Sequence, residues 1–218
     1  MRLSKQKKSQ MLSILADVYQ GAGTALEYES PFQLLVATIL SAQTTDAQVN
    51  RATRSLFADY PDLQSMAGIT AEDLIPYIRV LGFFRVKAKN IASMAEMLRS
   101  QYGGEVPSSR EDLMKLPGVG RKTANVVLSN AFGRPAIAVD THVFRVSRRM
   151  GLAGGETPAK VEAELCALIP ERDWADAHHW LIWHGRGPCK AQKPGCAECP
   201  VGLLCPKIDV DAKRSDKH

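Results

Sequence analysis

An all-α protein is what this sequence predicts, on three observations. Apolar residues recur at helical rather than alternating spacing, N-cap residues open one segment after another, and no run reads as a strand. Residues 4–19 carry apolar side chains at helical spacing after a charged first turn. Residues 32–42 are apolar on most faces and predict a buried helix. In 46–60, Val49, Ala52, Leu56 and Phe57 repeat along one side, and Pro61 closes the segment. Thr70-Ala-Glu-Asp73 and Ser108-Ser-Arg-Glu111 have the form of capping boxes opening two further helices. Residues 85–102 form a longer amphipathic helix that Gly103-Gly104 ends. Asp140 and Thr157-Pro158 stand where N-caps start, with Pro158 at home in a first turn. Asp173 opens the last helix, from Trp174 to about Gly185, whose Trp174, Trp180 and Trp183 are expected in the core. About ten helices with short connections follow, with no internal repeat and a charged tail, 209–218, expected to fray.

A chain of 218 residues forms one large domain or two modest lobes, with ample core either way. Its 45% hydrophobic and 23% charged residues fit a soluble globular protein, and no stretch approaches the roughly 18 apolar residues of a membrane span. The basic N-terminus is followed by an apolar run, 11–16, too short for a signal sequence and ended by Asp17. No membrane association and a reducing cytoplasm are therefore expected. The net charge of +5 leans toward a polyanionic partner, and placement sharpens this: the window 110–149 holds eight Lys/Arg against three acids. A localised basic face is a nucleic-acid footprint.

That window contains the most informative stretch, Leu116-Pro-Gly-Val-Gly-Arg-Lys122-Thr-Ala-Asn. Gly118 and Gly120 are suited to positive φ and to close approach by a ligand. The helix that follows starts with unpaired N–H groups, an anion site. Gly118, Val119 and Gly120 are expected to offer backbone N–H groups to phosphates, which positions a duplex without reading its sequence. Their carbonyls are a candidate site for a monovalent cation. Lys122 at the helix mouth is either a phosphate contact or a reactive amine, and Asp140 is either an N-cap or a working carboxylate.

Cys189, Cys196, Cys199 and Cys205 lie within 17 residues at the spacing Cys-x6-Cys-x2-Cys-x5-Cys. Four thiols this close predict one metal centre rather than a disulfide framework. Soft sulfur ligands select zinc or an iron–sulfur cluster. Zinc sites usually pair two Cys-x2-Cys knuckles, and here there is one, so spacing leaves the choice open. Lys190 and Lys193 lie in this loop and are read as cations presented to phosphates. Cys166, on an apolar helix, is expected to be a small core residue.

Taken together these segments resemble the endonuclease III family of DNA glycosylases, within the helix-hairpin-helix superfamily. The resemblance is carried by Leu40-Ser-Ala-Gln43-Thr-Thr-Asp46, the hairpin 116–124, Ala138-Val-Asp140-Thr-His142-Val-Phe-Arg-Val, and the four-cysteine loop, in family order and spacing. It implies a six-helix barrel over 24–134 with the hairpin at about 108–132. It also implies a second lobe from 1–23 and 135–218 that holds a [4Fe–4S] cluster on the four cysteines of loop 189–205, with DNA lying between the two lobes. The implied partner is double-stranded DNA with damaged bases or abasic sites. A monomer in the cytoplasm, associated with the nucleoid, is expected.

By the same resemblance Lys122 is the nucleophile and Asp140 the essential carboxylate. Gln43 corresponds to the wedge that fills the gap left by an extruded nucleotide. Phe83 and Phe84 stand where relatives carry an inserted pair, here doubly aromatic and followed by Arg85. Arg121 is expected on the DNA-facing side. His142 is expected to support the site by hydrogen bonding rather than to shuttle protons.

The chemistry is consistent with these roles. A glycosylase must extrude its target base, at a cost of a few kcal/mol that falls for a poorly stacked lesion. An amine that displaces the base leaves a Schiff base, whose acidified neighbouring proton permits β-elimination, so one lysine predicts two activities. A free lysine, with a pKa of about 10.4, must be discharged first. Desolvation, its own helix terminus and Arg121 all push in that direction. Asp140 opposes the shift, yet is able to take the proton and to stabilise positive charge on the sugar. The expected activity is removal of oxidised or ring-saturated pyrimidines with cleavage 3′ to the lesion. The alternatives are an adenine- or mismatch-specific glycosylase of the same superfamily and a non-catalytic DNA-binding iron–sulfur protein. The first lacks a lysine at this hairpin position and, when adenine-specific, carries a further C-terminal domain. The second makes no demand on Lys122 and Asp140.

Overall fold

A computed structural model of the chain describes residues 3–210. The expected fraying beyond Val210 and the basic Met1-Arg2 lie outside the described residues. Ten α-helices and one 3-10 turn account for the regular structure among the described residues, with no strand. They divide into two compact units, Thr24–Arg134 and Met1–Gly23 with Pro135–His218.

The Thr24–Arg134 unit contains α2 (Pro31–Leu40), α3 (Asp46–Asp59), α4 (Ala71–Ile78), α5 (Phe84–Gln101), α6 (Arg110–Leu113) and α7 (Arg121–Phe132). Helix α2 is buried at nearly every position and packs against α3, α5 and α7, as its all-round apolar sequence requires. Leu34, Leu35, Leu40, Leu56, Leu74, Ile78, Ile91 and Leu98 are fully buried around it. The capping box of α4 forms as read, with Thr70 accepting from the Asp73 amide and Asp73 from the Thr70 amide. The second box is displaced by one residue. Ser109 rather than Ser108 caps α6 and accepts from the Asp112 amide, because the helix starts at Arg110.

The other unit contains α1 (Lys5–Val18), α8 (Thr141–Arg149), α9 (Pro158–Leu168) and α10 (Trp174–Arg186), with the 3-10 turn Glu171–Asp173 leading into α10. Met11, Leu15, Val143, Val146, Val161, Leu165 and Leu181 form its core, and Cys166 packs against it. Trp174 and Trp180 border this core. Trp183 does not belong to it. Its side chain is exposed, with the indole N–H donating to the Gly23 carbonyl and Arg186 stacked on the ring. The deeply buried polar side chains of α10 are instead His178, His179 and His184.

Candidate functional site

The hairpin is assembled from α6, a turn, and α7. Leu113, Leu116 and Val119 are buried and pin the turn from beneath. The Arg110 guanidinium donates to Oδ1 of the buried Asn125 at 2.8 Å, fastening the short helix to the longer one. Gly118 takes φ +79°, and a Cβ there would lie 3.0 Å from the Asn90 side chain, so both conformation and space demand glycine.

Gly120 differs from its expectation. Its φ is −91°, open to any residue, and it serves as the N-cap of α7 with open space where a Cβ would stand. Val119 differs too, because its amide donates to the Leu116 carbonyl at 3.1 Å and closes the turn. The donors left to consider are those of the α7 start, where the N-cap Gly120 has no side chain to cap with. Side chains cap α1, α2, α3, α4, α6, α8 and α9. Arg121 and Lys122 are exposed in the first turn of α7, so the burial expected to discharge the Lys122 amine is absent in the free chain.

In the same unit the structure separates the two phenylalanines. Phe83 is 66% exposed, adopts the left-handed region with φ +56°, and precedes α5 without a side-chain cap. Phe84 is half-buried, with the Arg85 guanidinium 4.7 Å over its ring centroid. Gln43, exposed in the loop after α2, is also left-handed at φ +52°. Non-glycine residues pay for this conformation, and such strain clusters where function requires it. Lys87 was not legible as a site residue. It is buried on α5, and its amine donates to Thr44 Oγ1 at 2.9 Å, beside Gln43.

In the Met1–Gly23 and Pro135–His218 unit, Asp140 caps α8, its Oδ1 accepting from the Val143 amide at 2.7 Å. His142, two residues after Asp140 in the first turn of α8, is half-buried, and its Nδ1 lies 3.3 Å from the Arg145 guanidinium. Since arginine only donates, Nδ1 is the acceptor there. Arg145 continues to the carbonyls of Gly185, at 2.8 Å, and Cys189, at 3.1 Å, so the His142 turn is tied to the cysteine loop.

Cys189, Cys196, Cys199 and Cys205 line a small pocket together with Arg149, Met150, His184 and Gly202. Arg149, only 7% exposed, donates to the carbonyls of Lys190 and Ala191 at 2.7 and 3.0 Å and points toward Cys189 Sγ. Its own carbonyl accepts from the Ile208 amide at 3.0 Å and from the Cys205 thiol at 3.5 Å. The Lys207 amide donates to Cys205 Sγ at 3.4 Å. Gly202 is required by space, since a Cβ would fall 2.6 Å from the Cys196 carbonyl oxygen. Burial pushes the His184 imidazole down to about 4, so the ring is neutral, with Nε2 3.6 Å from Cys199 Sγ and Nδ1 3.1 Å from the Tyr19 hydroxyl. Burial, reinforced by Cys199 and Cys189, pushes the Tyr19 phenol up to about 12. Among the described residues no three His, Cys, Asp or Glu side chains converge tightly enough to hold one metal ion.

Lys190 and Lys193 are exposed on this loop. The basic window divides into different tasks. Arg149 and Arg145 hold backbone carbonyls, Arg148 donates to Gly155 O and stacks on Phe144, and Lys115 pairs with Asp112. The expected localised basic face loses Arg145 and Arg149, whose guanidinium groups satisfy carbonyls near the cysteine loop. No helix among the described residues is long and apolar enough to cross a membrane.

Residues 36–171 match the family described as HhH-GPD superfamily base excision DNA repair protein. Endonuclease III of Bacillus subtilis is 50% identical over 195 residues, 89% of each chain. Endonuclease III of Escherichia coli K12 is 44% identical over 211 residues, covering 95% of this chain and all of that one. A solved structure of a trapped endonuclease III–DNA covalent intermediate superposes with a TM-score of 0.91 at 46% identity, covering 97% of this chain and 99% of the other. A thermostable thymine-DNA glycosylase shares the fold alone, with a TM-score of 0.80 at 23% identity over 93% of this chain and 96% of that one.

Proposed function

Because the chain belongs to the endonuclease III family of the HhH-GPD superfamily, and so is a base excision repair DNA glycosylase and AP lyase acting on damaged duplex DNA, we propose that Lys122 is its nucleophile and Asp140 its essential carboxylate. The observation that carries this is the start of α7: a glycine turn, a glycine at the N-cap and an exposed lysine in the first turn. The terminus holds phosphate through backbone amides, which leaves the lysine free of that task. DNA bound there removes water from the amine and lowers its pKa, supplying the desolvation that the free chain lacks.

Lys122 Nζ then attacks the anomeric carbon of the sugar while the bond to the base breaks, and the base leaves with the electron pair and takes up a proton. The amine gives up its proton to the Asp140 carboxylate, and the sugar ring opens to a Schiff base on Lys122. Loss of the adjacent carbon-bound proton expels the 3′ phosphate by β-elimination and breaks the strand. Oxidised or ring-saturated pyrimidines are the substrates we assign, since their weak stacking lowers the cost of extrusion.

We assign a [4Fe–4S] cluster to Cys189, Cys196, Cys199 and Cys205. The donor set is all sulfur, the soft ligation an iron–sulfur cluster takes, and the four thiols line one small pocket. Bound there, the cluster supplies a fixed fold to loop 189–205. Arg149 and the Lys207 amide orient the sulfurs, and the loop then presents Lys190 and Lys193 to the DNA backbone. A monovalent cation at the hairpin carbonyls and a monomeric state complete the reading.

Borohydride added to the protein with an abasic-site duplex tests the assignment. A covalent adduct is expected for the wild type and none for Lys122→Ala or Lys122→Gln. An adduct that survives either substitution removes Lys122 from the role. Iron and sulfide analysis of the purified protein tests the cluster, and zinc without iron would overturn it.

A further inference from the structure

Within Thr24–Arg134, the non-glycine residues in the left-handed region among the described residues are Gln43 and Phe83. They are 40 positions apart in sequence, and both are exposed. One residue is bonded to both turns. The Lys87 amide donates to the Phe83 carbonyl at 3.1 Å, and its side-chain amine crosses to Thr44 Oγ1 at 2.9 Å. The Thr44 hydroxyl in turn donates to the Ala42 carbonyl at 3.3 Å, spanning Gln43 from one side to the other. The Thr44 amide closes the same turn onto the Ser41 carbonyl at 3.1 Å.

A lysine is a costly choice for this place. The residue is 4% exposed, and burial lowers its pKa, with no ion pair to a carboxylate seen among the described residues. An apolar side chain of the same length would fill the space without that penalty. What the ammonium adds is a donor that fixes the Thr44 hydroxyl as an acceptor and turns its proton toward Ala42. The chain amine, hydroxyl, carbonyl is polarised in one direction, and each link strengthens the next.

We infer that Lys87 is a positioning residue that joins the Gln43 and Phe83 turns into one rigid insertion element, so that both side chains enter a duplex in a fixed relation. The inference rests on the reading of Gln43 and Phe83 as residues that replace an extruded nucleotide. It separates two steps of the reaction. Lys87 touches neither the sugar nor the base. Its loss loosens insertion into stacked duplex and has no comparable effect where nothing needs to be extruded.

Single-turnover rates on two probes test this: a duplex with one thymine glycol, and a single-stranded oligonucleotide with one abasic site. The readout is the ratio of the first rate to the second. Lys87→Met and Thr44→Val are each expected to lower it at least about tenfold, as misplacement of positioned groups does. Thr44→Ser, which keeps the hydroxyl, is expected to retain the wild-type ratio. The double variant Lys87→Met/Thr44→Val should be no worse than either single one, because both remove the same contact. An unchanged ratio, both rates falling together, or additive losses in the double variant would overturn the inference. Should Lys87→Met fail to fold, Thr44→Val and Thr44→Ser decide alone. Gln43→Ala and Phe83→Ala run in parallel. If neither lowers the ratio, the insertion reading itself fails and the inference with it. If they lower it and Lys87→Met and Thr44→Val do not, only the linkage fails.

Discussion

Two glycines two residues apart in the hairpin are expected to fail in opposite ways when changed to alanine. At Gly118 the backbone sits at φ +79°, and the added methyl would stand 3.0 Å from Asn90 Cβ. The left-handed conformation costs an alanine about 1–2 kcal/mol. Crowding against the α5 side chain adds about 1–3 kcal/mol where Asn90 cannot retreat. Reduced freedom of the unfolded chain returns about 0.4–1 kcal/mol. Gly118→Ala should therefore lose about 1–5 kcal/mol, read as a lower urea midpoint at unchanged slope. At Gly120 the backbone is in an ordinary extended conformation and the methyl meets open space. Gly120→Ala should stay within about 0.5 kcal/mol of wild-type stability. It should nevertheless weaken binding to an abasic-site duplex, because the methyl occupies the surface that a phosphate approaches. Equal stability of the two variants would refute the steric argument at Gly118. Full DNA affinity in Gly120→Ala would refute close approach at the α7 start.

Three further outcomes are expected. Asp140→Asn keeps a cap for the Val143 amide but removes the charge, so strand cleavage should fall by at least about a hundredfold while stability changes by less than about 1 kcal/mol; Asp140→Ala should lose a further ~1 kcal/mol of stability, and activity retained in Asp140→Asn would reduce Asp140 to a cap. Arg149→Leu removes the donors to the Lys190 and Ala191 carbonyls and should weaken iron retention about 10–100-fold, measured as iron per chain after dialysis against a chelator, with wild-type retention as the refuting result. The Thr70 hydroxyl and amide hold the Asp73 carboxyl below the usual carboxylate range, so its contribution to stability is present above the unfolded pKa of about 3.9 and is lost as pH falls through the lower folded value. The wild-type advantage over Asp73→Asn in urea midpoint should accordingly shrink on acidification below about pH 3.9, and a difference that holds constant across that range would contradict the linkage.

Most of the helical content was legible because its causes are local. Ser4, Ser30, Thr45, Thr70 and Thr157 cap helices through their own side chains, and Pro31 and Pro158 sit in first turns, all within a few residues of one another in sequence. The misplaced capping box shows the limit of such reading. Ser108 and Ser109 offer the same hydroxyl, and only the folded chain shows that Ser109 starts α6, with Leu113 buried at its end. The candidate residues were legible where a motif names them, as in Gly118, Lys122, Asp140 and the cysteines. They were not where a side chain acts at long range. Lys87 and Arg149 look like ordinary surface cations, yet the one reaches Thr44 and the other reaches carbonyls 41 and 42 positions away. The misjudged Trp183 has the same origin, since only the packing of α10 decides which of its faces is covered.

By itself, then, the sequence determined the helical class, the hairpin turn and the supply of sulfur ligands, because spacing and residue chemistry are enough to specify them. Tertiary structure decided the tasks within the hairpin, with the Val119 amide closing the turn and Gly120 standing as the N-cap of α7. It also decided that Arg145, Arg148 and Arg149 of the basic window hold backbone carbonyls, and that two strained turns are bonded to one buried lysine. The physical reason is the same in each case. A donor's role depends on which acceptor the fold brings within about 3 Å, and that partner lies elsewhere in the chain.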